Sequence, residues 1–146
     1  MNSMKAIVLA VAALQLFAAF PVAGGVIQGA RRRADSLMPG VWGGERARFE
    51  VTEGGASVEF DCAHATVRGR IVVDRAGRFS VSGTYFEEHG GPVRPEESRG
   101  GGYPVRISGR VGGSLLKLTV TRAGTRKVIG TFALARDREA ELVKCR

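Results

Sequence analysis

Arg46-Ala47-Arg48-Phe49-Glu50-Val51-Thr52, then Glu53-Gly54-Gly55, then Ser57-Val58-Glu59-Phe60-Asp61-Cys62, is the stretch that decides the fold. Ala47, Phe49 and Val51 alternate with arginine, glutamate and threonine; Val58, Phe60 and Cys62 alternate with Ser57, Glu59 and Asp61. A period of two puts successive side chains on opposite faces, so each run is a strand with one buried and one wet side. The glycine-rich turn between them makes the pair an antiparallel hairpin.

The same reading extends to the end of the chain. Val67 to Val73 is a third strand, closed by the hairpin loop Asp74-Arg75-Ala76-Gly77. Phe79, Val81, Gly83 and Tyr85 share one face of a fourth, and Tyr103 to Val111 is a fifth with Arg106, Ser108 and Arg110 outward. Leu116, Leu118 and Val120 mark a sixth strand, Val128 to Leu134 a seventh and Ala140 to Cys145 an eighth of unassigned phase. The predicted fold is all-β: an eight-stranded antiparallel up-and-down meander. An open meander exposes two strand edges, and closing it into a small barrel removes them. Gly69, Gly83, Gly109 and Gly130 supply the bends that closure needs. Phe49, Val51, Val58, Phe60, Ile71, Phe79, Val81, Ile107, Leu116, Leu118, Phe132 and Leu134 are the expected interior.

Residues 1–24 read as an export signal. Lys5 precedes an apolar run from Ala6 to Phe20, followed by Pro21-Val22-Ala23-Gly24. The run is shorter than the roughly 20 residues a membrane-spanning helix needs. Arg31-Arg32-Arg33 beyond it leaves an alternative, an uncleaved membrane anchor, because basic residues resist translocation. Residues 25–39 read as a flexible linker and 40–146 as the barrel domain. The expected location is periplasmic or extracellular, where the chain's only two cysteines, Cys62 and Cys145, form a disulfide.

Removing Lys5 from the 22 basic residues leaves 21 against 14 acidic ones, nearly all of the 21 being arginine. Such a surface is solvated by default and attracts an acidic partner, such as an envelope polymer or an acidic protein. Export excludes nucleic acid as the partner in vivo, and a monomer is expected. One stretch breaks the strand rhythm: residues 87–102, rich in glycine, proline and charge. Connections of that length are either functional or disordered. Tyr85 and Tyr103 flank it, so Tyr85, His89, Arg94 and Tyr103 are the candidate binding residues of the loop and barrel mouth.

Gly40-Val41-Trp42, set before the first alternating strand, resembles the Gly-x-Trp signature of the calycins, the superfamily of lipocalins, avidins and small bacterial protease-inhibitor barrels. The resemblance implies that Trp42 plugs one end of the barrel, against a basic residue near the chain end, for which Arg138 and Lys144 are the candidates. The size and single disulfide are most similar to the inhibitor barrels. Avidin-type biotin binding is not implied, because Trp42 is the only tryptophan.

Material for catalysis is scarce. The two histidines are His64 and His89. Cys62-Ala63-His64 would suit a metal only with a free thiol, and Glu87-Glu88-His89 looks like an ordinary charged loop. Gly-x-Ser-x-Gly, Cys-x-x-Cys and phosphate-loop motifs are absent. The expectation is a binding protein, not an enzyme, with no cofactor and no metal. It acts through macromolecular contacts, inhibitor-like or polyanion-binding. The alternatives are a carrier of a small apolar ligand in the barrel and an anchored structural protein of the envelope.

Overall fold

A computed structural model describes residues 35–91 and 101–145. Residues 1–24, read as an export signal, and Arg94 lie outside the described residues. Ten strands run in chain order: β1 (Asp35–Ser36), β2 (Gly40–Gly44), β3 (Ala47–Thr52), β4 (Gly55–Phe60), β5 (Ala63–Arg68), β6 (Val72–Val73), β7 (Arg78–Glu87), β8 (Tyr103–Gly112), β9 (Leu115–Arg122) and β10 (Val128–Arg136). Eight of them close into an antiparallel barrel in the order β10-β2-β3-β4-β5-β7-β8-β9, and β1 and β6 form a separate two-stranded ladder. The meander, the closure and the strand count are those expected.

Two of the strands are not. Gly40–Gly44 is itself the first barrel strand, paired to β3 from Gly40↔Val51 to Gly44↔Ala47. Its glycines and lone valine hid it from a search for alternation. The expected eighth strand, Ala140 to Cys145, is no strand and makes one isolated bridge, Glu45↔Glu141. The expected third strand also breaks. Gly69 adopts φ 84°, a left-handed conformation that only glycine takes easily, and ends β5. The chain then leaves the barrel wall so that Val72–Val73 pair with Asp35–Ser36. Residues 35–39, read as the end of a linker, are thereby built into the domain: Leu37 is buried, and its N–H donates to Ile71 O at 2.8 Å.

The interior is apolar and filled. Among the described residues no polar or charged residue is buried, and Phe49, Val58, Ala65, Ile107, Leu118 and Val120 are fully enclosed at 0% exposure. The expected interior set is buried except Val81 and Phe132, which pack against the core while partly exposed. Trp42, Phe49 and Phe79 form an aromatic column, with ring centroids 6.0 and 6.2 Å apart.

Closure is the weak seam. β10 meets β2 over only three register pairs, Leu134↔Gly44 to Arg136↔Trp42. The C-terminal tail reinforces it from outside. Asp137 N–H donates to Val41 O at 2.8 Å, Glu141 N–H to Gly44 O at 3.0 Å and Arg46 N–H to Glu141 O at 3.0 Å. Gly43 lets the tail lie so close: a Cβ there would run into the Arg138 carbonyl and the Glu139–Ala140 backbone. The disulfide Cys62–Cys145, Cα–Cα 5.2 Å, pins the far end of the tail beside the β4–β5 turn.

Asp61 is the polar half of that pin. Its carboxylate accepts from Arg46 Nε at 2.6 Å and from Val143 N–H at 3.0 Å, joining the β2–β3 turn to the tail. The Arg46 hydrogen bond, and then that from Val143, hold its pKa below the ordinary carboxylate value of 3.8. A carboxyl with a lowered folded pKa contributes stability above its unfolded pKa, and the contribution disappears as pH falls through the folded value. The tail amides of Val143 and its neighbours should therefore lose hydrogen-exchange protection below about pH 4. In Asp61→Asn that acid-dependent loss should be absent, the protection being already reduced at neutral pH. Unchanged protection in the variant would remove Asp61 from the clamp.

Candidate functional site

The concave feature that gathers the expected binding residues lies where β7 ends and β8 begins. Tyr85 and Tyr103 are direct register partners across that hairpin. Their rings pack at 5.2 Å, and Tyr85 packs on Phe60 at 5.6 Å, which in turn meets Phe132 at 5.1 Å. Alternation brings these aromatics to one inner face at the rim, Tyr85 buried and Tyr103 half-buried. The Arg122 guanidinium sits 4.2 Å above the Tyr103 ring centroid, and the Tyr103 hydroxyl donates to Glu87 Oε1 at 3.3 Å. Tyr85, Phe86, Glu87, His89, Gly101, Gly102 and Tyr103 line a half-open pocket of about 330 Å³. The structure thus brings together Tyr85, His89 and Tyr103.

Sequence reasoning missed Phe86, Glu87 and Arg122. Phe86 and Glu87 follow Tyr85 directly, and proximity alone could have flagged them. Arg122 carried no signal, because only the β8–β9 register, Val105↔Arg122, brings it near Tyr103.

Both phenols titrate above their ordinary value of 10.0. Burial is the main cause in each; the neighbouring Tyr103, Glu87 and Glu88 add to it for Tyr85, and Glu87 adds to it for Tyr103. A raised phenol pKa stabilises the fold fully below the unfolded pKa, and that contribution is lost as pH rises through the folded values. These are the only two tyrosines in the chain, so absorbance at 295 nm reads them alone. Both should ionise at higher pH in the native protein than in urea. A native phenol ionising at or below the urea value would contradict the packed rim.

The remaining candidates have structural partners. His64 stacks on Phe86 with centroids 4.9 Å apart, and its Nδ1 lies 2.8 Å from Glu88 Oε1. Lys144 Nζ approaches Glu88 Oε2 at 3.7 Å and donates to Phe60 O at 3.2 Å, so it serves the disulfide end of the barrel and not Trp42. Arg138 pairs with Glu141 at 3.1 Å. The basic residue over Trp42 is Arg136 instead, its guanidinium 5.0 Å from the indole centroid and its Nη2 donating to Pro39 O at 3.0 Å. Arg136 was overlooked because the last strand was placed after it. Among the described residues no three His, Cys, Asp or Glu side chains converge as metal ligands would.

Comparison with protein-family models, curated proteins and solved structures finds no match to this chain.

Proposed function

We propose that this protein is an exported, calycin-like barrel that works as a non-catalytic binding protein through its rim and outer surface. The observation that carries the reading is the filled interior. With Phe49, Val58, Ile107, Leu118 and Val120 fully enclosed, a ligand inside would have to displace close-packed core. A concave space lies instead at the rim, sized for one side chain or one sugar ring of a larger partner and walled by Tyr85 and Tyr103. Aromatic walls with a few polar groups at one edge are what recognition pockets offer.

Export rests on the N-terminal segment, and the disulfide agrees with it, because such bonds persist in oxidising compartments. The calycin likeness rests on Gly40-Val41-Trp42 opening the first barrel strand while Arg136 of the last covers the indole.

Native and denaturing mass spectra of the protein purified from the periplasm test the reading. The expected species is a disulfide-bonded monomer of the same mass in both spectra. A small molecule present natively and released on denaturation would replace this reading by the carrier.

A further inference from the structure

The basic residues are not spread evenly. Strands β8, β9 and β10 contain no aspartate or glutamate, and β7 has only Glu87, its last residue. The wall of β3 to β5 mixes both signs, with Arg48 paired to Glu50 at 2.8 Å. On the β7–β9 wall the register sets Arg78 opposite Arg110 and Arg110 opposite Lys117. Like charges directly opposite on neighbouring strands destabilise a sheet, so folding alone does not favour this row.

Beside it runs a row of hydroxyls, Ser80↔Ser108↔Thr119↔Thr131, again in direct register. A shallow hollow of about 270 Å³ lies between the rows, lined by Arg78, Arg110, Lys117, Ser108 and Thr119 where the Phe79 ring covers Gly109. Asp74 holds Arg78 by its Nε at 2.9 Å, which fixes the guanidinium while leaving its terminal nitrogens to donate.

We infer that this hollow binds phosphate groups of a linear anionic polymer. Two guanidinium forks, an ammonium and two hydroxyls supply donors of the kind a tetrahedral oxyanion accepts from. Three adjacent strands place the cations across about 10 Å, the scale of one phosphate with its flanking linkages. Arg106 stands on the same face of β8, about 13 Å from Arg110 at the strand rise, ready for a second phosphate of the same chain. A barrel wall is convex, so a flat bilayer would touch it along a line, whereas a narrow polymer can lie in the hollow. The site is separate from the rim pocket and does not depend on it.

The test uses the purified protein with inorganic polyphosphate, with orthophosphate and with phosphatidylglycerol vesicles. Polyphosphate should bind, and added salt should weaken binding steeply. Arg110→Gln/Lys117→Gln should lose about tenfold in affinity and show a shallower salt dependence, while Arg68→Gln/Arg70→Gln, an equal charge change at other exposed positions, should stay within about twofold. The charge-preserving exchange Arg110→Lys/Lys117→Arg should keep most of the affinity, which separates the site from a folding defect. The melting temperature of the glutamine pair should be unchanged or higher, because a repulsion is removed. Equal losses in both glutamine pairs would reduce the effect to net charge and overturn the proposal. So would vesicle binding without polyphosphate binding, or orthophosphate binding as tightly as the polymer.

Discussion

Replacing the disulfide, as Cys62→Ser/Cys145→Ser, should lower stability by about 4 kcal/mol and the melting temperature by roughly 10–20 °C. The bond spans 83 residues, so it removes much of the unfolded chain's freedom, and chain entropy sets the upper size of the effect. The damage should begin locally. Once the pin is gone, the tail is held only by hydrogen bonds such as those with Asp61, Gly44 and Arg46, and these release first. Trypsin should therefore cut after Arg138 in the variant before it cuts the barrel strands. The β10–β2 seam, with three register pairs, should open next. A melting shift of only a few degrees, with Arg138 still protected, would mean that the tail's hydrogen bonds suffice without the bridge.

Trp42→Ala should cost about 3–5 kcal/mol, the range for truncating a large aromatic in a packed core. Trp42 is 1% exposed, touches Phe49 and lies beneath Arg136, so its removal leaves a void at the seam and strips the guanidinium of its platform. Trp42→Phe should cost much less. Among the described residues the indole Nε1 has no hydrogen-bond partner, and phenylalanine removes that unpaired donor while keeping most of the ring. Urea unfolding followed by far-ultraviolet circular dichroism compares the three proteins, since the variants lack the only tryptophan. Equal losses in both variants would show that the indole itself, and not the volume it fills, is what this position requires.

The two expectations meet at the same seam, and it is there that sequence reading went astray. Alternation identified β3, β4, β7, β8 and β9 because each has one wet face and one buried face. It passed over β2, whose Gly43 and Gly44 carry no side chain to alternate; Gly43 is small because the tail lies against it. It accepted Ala140 to Cys145 as a strand of unassigned phase, yet the hydrogen bonds of that segment are those of a strap. The count of eight survived because one error added a strand and the other removed one.

The candidate sites divide in the same way. Tyr85 and Tyr103 were legible as aromatics flanking an unusually long loop, while Arg122 above Tyr103 was not. The cationic row on β7, β8 and β9 was visible only as separate outward arginines and a lysine. Their being neighbours depends on register, and register is a relation between strands.

The sequence by itself determined the all-β class, the meander, most of the interior and the pairing of the two cysteines. Each follows from local spacing or from a count that admits one answer. Tertiary structure alone decided which strands close the barrel, what lies over Trp42, how the rim aromatics meet and where the cations align. Those are contacts between residues far apart in the chain, and one residue's shift in register would turn each side chain to the other face.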